Sequence, residues 1–351
     1  MRNFFCFFLA LFLCANVFAE KFQKIVFLGD SLSDNGNLYR LLITLIPKSP
    51  PYYNGRFSNG PTWAEHVGKF YSLKNNGSYK IYAYGGATAI LHAPSLDFVA
   101  PTTLELELDN YLIDSLFKSK KHVLFSIWMG ANDYFFEKSD DMDLVSSKVV
   151  NKITWTIKKL IENGGRNFLI LNLPELSRTP FAMQHQLIPR LQLLTQMHNQ
   201  KLEMAVMQLK QTYPDIKFDF VNVHDTMNDF IDHPEKYNEA YKVNIRDTTN
   251  ACWTGGYFFA KSIIEQSLNK DIAAMKINKN DADYDDEAIK NLISSSSELS
   301  YTYAMSKMMT RGIVPCINPD QHLFWDDMHP TAVVHRVLSE IIIENLNQNF
   351  V

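Results

Sequence analysis

The chain has 351 residues, 46% of them hydrophobic and 21% charged, so it is long enough to bury a substantial core. Its formal net charge of -4 excludes the basic footprint of a nucleic-acid-binding protein, and we expect no nucleic-acid partner. This globular composition allows one large domain or two smaller ones.

The first residues have the pattern of a secretory signal. Arg2 precedes an apolar run over 4–17, which is short for a membrane span. Val17 and Ala19 stand where small residues are expected before a cleavage site. We therefore predict a signal peptide over 1–19, cleaved near Ala19, and a secreted protein located in the periplasm or the medium.

Cysteine usage agrees with export. Of four cysteines, Cys6 and Cys14 lie within the predicted signal, which leaves Cys252 and Cys316. An oxidising compartment favours a disulfide between this pair, and we predict that bond. The alternative is two buried free thiols.

A buried strand and a polar turn come first in the mature chain. Ile25–Leu28 is an unbroken apolar run, typical of a parallel strand, and Gly29-Asp30-Ser31 follows it. Residues 33–35 are good helix starters, so Ser31 is predicted where a strand ends and a helix begins. There a hydroxyl is exposed and backbone N–H groups can face developing negative charge, as a nucleophile requires. The alternative is an ordinary turn.

Strand and helix patterns alternate along the rest of the chain. Apolar runs predict strands at Lys80–Tyr84, His122–Met129, Phe168–Leu173 and Phe218–Val223. Helices are predicted at Leu38–Ile46, from Pro61 onward, and at Thr102–Phe117, Asp143–Asn163, Gln186–Tyr213 and Ala332–Leu346. The alternation predicts an α/β fold with a parallel sheet, whose ligands bind beyond the carboxyl ends of the strands.

The segment between Cys252 and Cys316 has a different pattern. It contains acidic residues over 281–287, a serine run at 294–297, and helical stretches near Phe258–Leu268 and Ala288–Ile293. We interpret it as an insertion, closed at its base by the disulfide, within one domain spanning 20–351.

A serine nucleophile needs a base in contact, usually a histidine that a carboxylate orients. His329 stands out because Asp326 comes three residues earlier and Pro330 keeps His329 out of a helix. His322 with Asp326 is a rival pair, and the alternative is a solvated surface turn. These residues could also bind a metal, but no further ligand cluster supports that, and we predict no metal site.

Acyl transfer also needs hydrogen-bond donors for an oxyanion. Gly86 can offer a backbone N–H without an intervening side chain, and Asn132 can offer its side-chain amide. The alternatives are a tight packing turn at Gly86 and an Asx turn at Asn132.

Four motifs occur in a fixed order: Gly-Asp-Ser-Leu at 29–32, Tyr-Gly-Gly-Ala at 84–87, Gly-Ala-Asn-Asp at 130–133 and Asp-x-x-His-Pro at 326–330. They resemble the four conserved blocks of the GDSL, or SGNH, esterases and lipases, over nearly the whole mature chain. The resemblance implies a flavodoxin-like three-layer α/β/α sandwich.

The same resemblance implies roles for individual residues. Ser31 would be the nucleophile, His329 the base and Asp326 its orienting acid. The oxyanion hole would combine the Ser31 N–H, Gly86 and Asn132, with Gly86 preferred to Gly85 by its spacing to the following threonine. Residues 30 and 34 would hold the nucleophile turn without a catalytic role.

Three further stretches, 31–37, 55–60 and 324–326, are similar to a secreted bacterial branch of phospholipases A, lysophospholipases and glycerophospholipid:cholesterol acyltransferases. The likeness implies a phospholipid or lysophospholipid substrate at a membrane surface, with no metal or organic cofactor and with a sterol as a candidate acyl acceptor. In several members a disulfide-bridged loop restrains activity until a protease cuts it. The matching segment between Cys252 and Cys316 is unusually long, which leaves inhibitory loop, lid and lipid contact as its alternative roles.

Aromatic residues in loop-like stretches are candidate acyl-chain contacts, although they could equally belong to the core. They are Tyr52, Tyr53, Phe57, Trp253, Tyr257, Phe258 and Phe259. Two other functions stay open: a carbohydrate or small-ester deacetylase on the same scaffold, and a membrane-binding protein with a vestigial site.

Overall fold

The structure is a computed structural model that describes residues 22–47, 49–91, 102–135, 137, 139–253, 268–273, 286–295, 299, 303 and 314–350. The predicted signal peptide and nearly all of the helix predicted near Phe258–Leu268 lie outside the described residues, as do three candidate aromatics, Tyr257, Phe258 and Phe259.

A five-stranded parallel sheet forms the centre of the molecule, in the order β2-β1-β3-β4-β5. Its strands are β1 Lys24–Gly29, β2 Ser78–Ile81, β3 Val123–Trp128, β4 Asn167–Leu171 and β5 Lys217–Val221. Strands β1 and β3 are almost wholly buried, as expected for parallel strands covered on both faces. The strand order is that of flavodoxin-like folds.

Helices cover both faces of this sheet. They are α1 Asn37–Leu41, α2 Trp63–Asn75, α3 Leu104–Asp114, α4 Asn132–Phe135, α5 Met142–Glu162, α6 Pro180–Gln184, α7 Ile188–Thr212, α8 Val223–Asp232, α9 Pro234–Tyr241, α10 Asp286–Ser295 and α11 Ala332–Phe350. Helices α2 and α11 pack together on one face, whereas α3, α5 and α7 pack on the other. The predicted three-layer α/β/α sandwich is therefore confirmed.

One predicted helix is much shorter than expected. The pattern predicted a helix over Leu38–Ile46, but α1 ends at Leu41. Ile43 and Thr44 have φ angles of +52° and +65°, and this left-handed backbone cannot continue a right-handed helix. The other predicted strands and helices that fall within the described residues are present, with ends that differ by a few residues.

Several elements were not predicted from the sequence. Helices α8 and α9 follow β5, and two short parallel strands pair beside them. These strands are β6 Asp247–Ala251 and β7 His322–Phe324. Strand β7 leads directly into the Asp-x-x-His turn, so this small sheet positions part of the site.

The predicted disulfide between Cys252 and Cys316 is confirmed. The Cys252 N–H donates to the Phe324 carbonyl at 3.0 Å, which places the bond next to β7. The described parts of the insertion, including α10, pack apolar side chains against Leu38, Leu42 and neighbouring residues. Within the described ranges, no helix combines the length and the apolar character needed to cross a bilayer.

Candidate active site

Ser31 lies just beyond the carboxyl end of the central strand β1. The Asp30 carbonyl accepts hydrogen bonds from the N–H groups of Ser33 and Asp34, both at 3.0 Å, and so turns the chain. Helix α1 begins only at Asn37, so a short turn separates β1 from α1. The sequence pattern instead predicts a helix that follows the strand directly at Ser31. Ser31 is 5% exposed and lines a cavity at this edge of the sheet.

Three side chains singled out from the sequence are in hydrogen-bond contact. Ser31 Oγ lies 2.9 Å from His329 Nε2, and His329 Nδ1 lies 2.9 Å from each carboxylate oxygen of Asp326. All three residues are buried. Because an ionised carboxylate only accepts hydrogen bonds, His329 carries its proton on Nδ1, and Nε2 accepts from the Ser31 hydroxyl.

The turn from Asp326 to His329 is held by its own backbone. Asp326 Oδ1 accepts the N–H groups of Met328 at 2.9 Å and His329 at 2.7 Å. Burial raises the pKa of Asp326, but the charge of His329 and these hydrogen bonds outweigh burial, and the pKa lies below its usual value. The carboxylate therefore stays ionised beside the imidazole.

Tyr52 completes the surroundings of Asp326. Its hydroxyl donates to Asp326 Oδ2 at 2.7 Å, and its ring packs edge-on against Trp325 with 6.3 Å between centroids. The sequence suggested Tyr52 only as an aromatic candidate for acyl-chain contact. The two partners are 274 residues apart, so no local pattern could indicate the bond.

Phe57 packs against the His329 ring, with 5.2 Å between centroids. A Cβ at Gly85 would lie 2.1 Å from Phe57 Cε2, so glycine allows this approach. The Gly85 N–H donates to Asp34 Oδ2 at 2.8 Å. This donor is therefore already used, and Gly86 remains the candidate that the sequence analysis preferred.

The Gly86 turn and the start of helix α4 are tied together. Asn132 Nδ2 donates to the Ala87 carbonyl at 3.0 Å. Asp133 accepts the N–H groups of residues 89–90 at 2.8 and 3.1 Å. An amide NH₂ has two donors, so the first bond fixes the Asn132 side chain and a second N–H remains for an oxyanion. Asn132 lines the same cavity as the serine.

A buried pair supports this region from behind. Tyr134 OH and His198 Nδ1 are 2.8 Å apart, and both side chains are inaccessible to solvent. Burial lowers the pKa of His198 to about 3, so the ring stays neutral. Gly130 has a φ of +129°, and a Cβ there would come within 2.8 Å of His198 Cε1. The sequence analysis missed His198 because it lies in a long helix without a motif.

Buried carboxyl groups lie beneath the Ser31 turn. Burial raises the pKa of Asp30 to about 7 and that of Asp34 to about 6, and it raises the pKa of Glu107 well above its usual value. Glu107 Oε2 accepts the Gly29 N–H at 2.9 Å, and Asp34 accepts four backbone N–H groups. These groups bind backbone, as expected for residues 30 and 34.

An apolar cavity extends from the hydrogen-bonded serine into the protein. Its more distant walls come from helix α8, strand β7 and helix α11, through Met227, Ile231, Leu323, Phe324, Val334 and Leu338. None of the four described aromatic candidates, Tyr52, Tyr53, Phe57 and Trp253, is among its lining residues. Tyr52, Phe57 and Trp253 are buried in the core, which is the alternative left open for them, and Tyr53 is 42% exposed.

His322 does not take up either alternative role, that of a partner for Asp326 or that of a metal ligand. His322 lies in β7, where its Nδ1 is 3.3 Å from the Asn250 carbonyl and 3.9 Å from Asp247 Oδ2. Among the residues that the structure describes, no group of three histidine, cysteine, aspartate or glutamate side chains could hold a metal ion.

A flavodoxin-like sheet that presents a serine beyond its central strand, in hydrogen-bond contact with a histidine that a nearby aspartate holds, is the architecture of a class of serine acyl hydrolases. The chain belongs to the GDSL-like lipase/acylhydrolase family, whose model matches residues 25–342.

Characterised relatives cover most of the chain. It is 29% identical over 326 residues to a phosphatidylcholine-sterol acyltransferase of Aeromonas hydrophila, over 91% of this chain and 88% of that one. It is 25% identical over 340 residues to a thermolabile hemolysin of Vibrio parahaemolyticus, over 93% of this chain and 65% of the hemolysin. It is also 28% identical over 215 residues to a secreted effector protein of Salmonella typhimurium, over 60% of this chain and 49% of the effector.

Proposed function

We propose that the protein is a secreted serine esterase that cleaves fatty acyl esters of lysophospholipids and phospholipids. The observation that carries the proposal is the hydrogen-bonded chain of Ser31, His329 and Asp326 at the mouth of an apolar cavity. The hydrogen-bonded groups supply the chemistry of ester cleavage, and the cavity supplies an apolar place for the part of an acyl chain next to the serine.

The geometry supports acyl transfer through a covalent intermediate. Ser31 Oγ attacks the ester carbonyl carbon while His329 Nε2 takes the hydroxyl proton. The carbonyl oxygen becomes an oxyanion, held by the N–H groups of Ser31 and Gly86 and by the Asn132 amide. His329 then gives its proton to the leaving alcohol oxygen, which leaves an acyl-enzyme. Water, activated by the same histidine, releases the fatty acid.

The cavity favours a fatty acyl group over an acetyl group. An acetyl group would fill only the part beside the serine, whereas the lining continues to Ile231 and Leu338 on two separate helices. Burying each further methylene of a substrate contributes about 0.8 kcal/mol, so chain length would raise affinity steadily. These apolar walls are the observation that favours a lipid ester over the ester of a carbohydrate or another small polar molecule.

The acceptor and the place of action belong to the same proposal. Water is the simplest acceptor, and a sterol that reached the acyl-enzyme would make the protein an acyltransferase, the activity for which the Aeromonas relative is named. We place the protein at a membrane surface after export. The apolar leader, the disulfide and a relative named as a secreted effector support this location.

The segment between Cys252 and Cys316 is proposed to control access until a protease cuts it. Its described parts pack against the cluster that contains Phe57, and Phe57 contacts the His329 ring. The test is limited proteolysis with a confirmed cut between the two cysteines, followed by an ester-cleavage assay. An increase supports control by this segment, and unchanged activity rules it out.

The decisive experiment measures fatty-acid release by purified protein from a lysophospholipid, a diacyl phospholipid, a triglyceride and an acetylated sugar, with and without a sterol. Ser31→Ala is the inactive control. Ile231→Trp should fill the cavity and shift the preference toward short acyl chains, whereas Leu73→Trp, at a position 78% exposed on α2, should not.

Release from the lysophospholipid that Ser31→Ala abolishes is the expected result. Release only from the acetylated sugar would make the protein a deacetylase. Lipid binding without release, before and after proteolysis, would favour the vestigial membrane-binding protein.

A further inference from the structure

The end of helix α3 carries exposed apolar side chains at the sheet edge opposite Ser31. Ile113, Leu116 and Phe117 are 66%, 59% and 103% exposed. Phe117 also has a φ of +61°, a left-handed conformation that bulky residues rarely adopt. The left-handed backbone costs stability, and a group of exposed apolar side chains marks a surface that binds something.

Lysines surround the same helix end. Lys80 is paired with Asp114, and Lys118 Nζ donates to the Asp114 carbonyl at 3.2 Å. Lys24 Nζ lies 5.9 Å from the centroid of a tyrosine ring on α3. Burial, and then the positive charges of Lys118 and Lys80, lower the pKa of Lys24, so these ammonium groups are close enough to repel one another.

The loop after the helix adds to this local charge. Residues 115–122 contain three lysines and no acidic residue, in a chain whose net charge is -4. Asp114 at the helix end is paired with Lys80, and the neighbouring lysines outnumber it, so the apolar side chains stand beside a local excess of positive charge.

We propose that this surface docks onto an anionic lipid bilayer. We call it the α3-end surface, and it consists of Ile113, Leu116, Phe117, Lys24, Lys80 and Lys118. The apolar side chains would enter the headgroup region while the lysines meet lipid phosphates.

A bilayer fits this surface better than a protein partner does. Phe117 is fully exposed, so it stands clear of its neighbours and would need a matching pocket in a protein. A fluid bilayer accepts a projecting aromatic ring anywhere along its surface. Its phosphates are also continuous, so they match lysines that come from β1, β2 and the loop after α3 without a specific geometry.

The position of the surface has a consequence for its use. Lys24 begins β1 and Ser31 follows its end, so about six strand residues, roughly 20 Å, separate the two edges. A protein docked in this way turns its cavity away from the bilayer that holds it. The surface would retain the protein at a membrane without presenting that membrane's lipids to Ser31.

The test is flotation of purified protein with vesicles of phosphatidylcholine alone and of phosphatidylcholine mixed with phosphatidylglycerol. The Ser31→Ala background prevents hydrolysis of the vesicles. Binding should need phosphatidylglycerol and should weaken as salt is raised. Lys118→Gln should weaken it about fivefold, the effect of one lysine charge near an anionic surface.

Phe117→Gly separates docking from folding. Glycine accepts the left-handed φ, so this variant should be at least as thermostable as the parent protein while binding anionic vesicles about tenfold more weakly. The matched control is Leu73→Ala, which removes an exposed leucine from α2 and should leave binding unchanged. Alanine is used there because glycine would weaken the helix. When Phe117→Gly is made in the protein that retains Ser31, it should cleave a soluble ester at the parent rate.

Equal binding of Phe117→Gly and the parent protein would overturn the proposal, and so would equal binding to both vesicle types. Self-association without lipid that Phe117→Gly abolishes would reassign the surface to a second copy of the chain. Because the docking assay uses an inactive background, its outcome is independent of the proposed esterase activity.

Discussion

Replacing Tyr52 by phenylalanine removes one hydroxyl group from the site and leaves the ring in place. The ring would keep its contacts with Phe57 and Trp325, while Asp326 Oδ2 would lose the 2.7 Å hydrogen bond. A hydrogen bond to a buried charged group contributes about 1.5–3 kcal/mol. We therefore expect the free energy of unfolding to fall by about 2 kcal/mol, which lowers Tm by about 3 °C in a chain of 351 residues.

The effect of Tyr52→Phe on catalysis should be smaller than that of losing the carboxylate. Two backbone N–H groups and the imidazole still hold Asp326. The loss of transition-state stabilisation cannot exceed that of the bond itself, so kcat/KM should fall by no more than about 30-fold. Asp326→Asn removes the orienting charge and should cost about 10⁴-fold in kcat.

The pH dependence of this stability difference follows from the low pKa of Asp326. A carboxyl whose folded pKa lies below its unfolded value stabilises the protein above the unfolded pKa, and this contribution disappears as pH falls through the folded pKa. The Tyr52 bond is part of that contribution. The difference in Tm between the parent protein and Tyr52→Phe should therefore be largest at neutral pH and should become smaller in acid.

The assays are thermal unfolding across pH and ester hydrolysis, with Tyr53→Phe as the control. Tyr53 is the next residue in the chain and is 42% exposed, so its hydroxyl should matter little. A Tyr52→Phe protein with parent Tm and rate would show that the hydrogen bond contributes nothing. A loss as large as that of Asp326→Asn would show that the tyrosine does more than hold the carboxylate.

Three further predictions concern the neighbouring groups. Asn132→Ala should lower kcat by about 10²–10³-fold with a smaller change in KM, and an unchanged kcat would remove the amide from the oxyanion hole. Gly85→Ala should displace Phe57 from His329 and lower both Tm and kcat, because the new Cβ would lie 2.1 Å from the ring; parent values would show that the ring moves without cost. Asp30→Asn should melt at a higher temperature than the parent protein above pH 7 and at the same temperature near pH 4. The folded pKa of about 7 exceeds the unfolded value, so ionisation of Asp30 opposes folding as pH rises, and identical pH profiles would contradict this.

The parts of the fold with strong local patterns could be predicted from the sequence. Buried parallel strands such as β1 and β3 are continuous apolar runs, and the long helix α5 has an apolar face and a glycine after its end. The order of these elements defines the sheet, so the α/β class follows. Strand β6 has the sequence Asp-Thr-Thr-Asn-Ala and exists because β7 pairs with it from far along the chain, which local propensity does not reveal.

The residues of the site also fall into a group that the sequence predicts and a group that it does not. Motifs indicated the residues to which we assign the chemistry, Ser31, Asn132 and His329, because nucleophile, donor and base must be particular residue types. The groups that hold them, such as Tyr52 and His198, are recognisable only by tertiary contact. The apolar cavity has a partial signal in the sequence, since Met227 and Ile231 are spaced by one helical turn after β5, but its other walls come from distant segments.

Ser31 Oγ and His329 Nε2 are in contact although 298 residues of chain separate them. During synthesis the serine emerges early and the histidine near the end, followed by the helix that supplies Val334 and Leu338 to the cavity. A partly synthesised or truncated chain therefore lacks the contact between Ser31 and His329 and has no complete apolar cavity. The site is assembled only after the residues up to Leu338 have been made and folded.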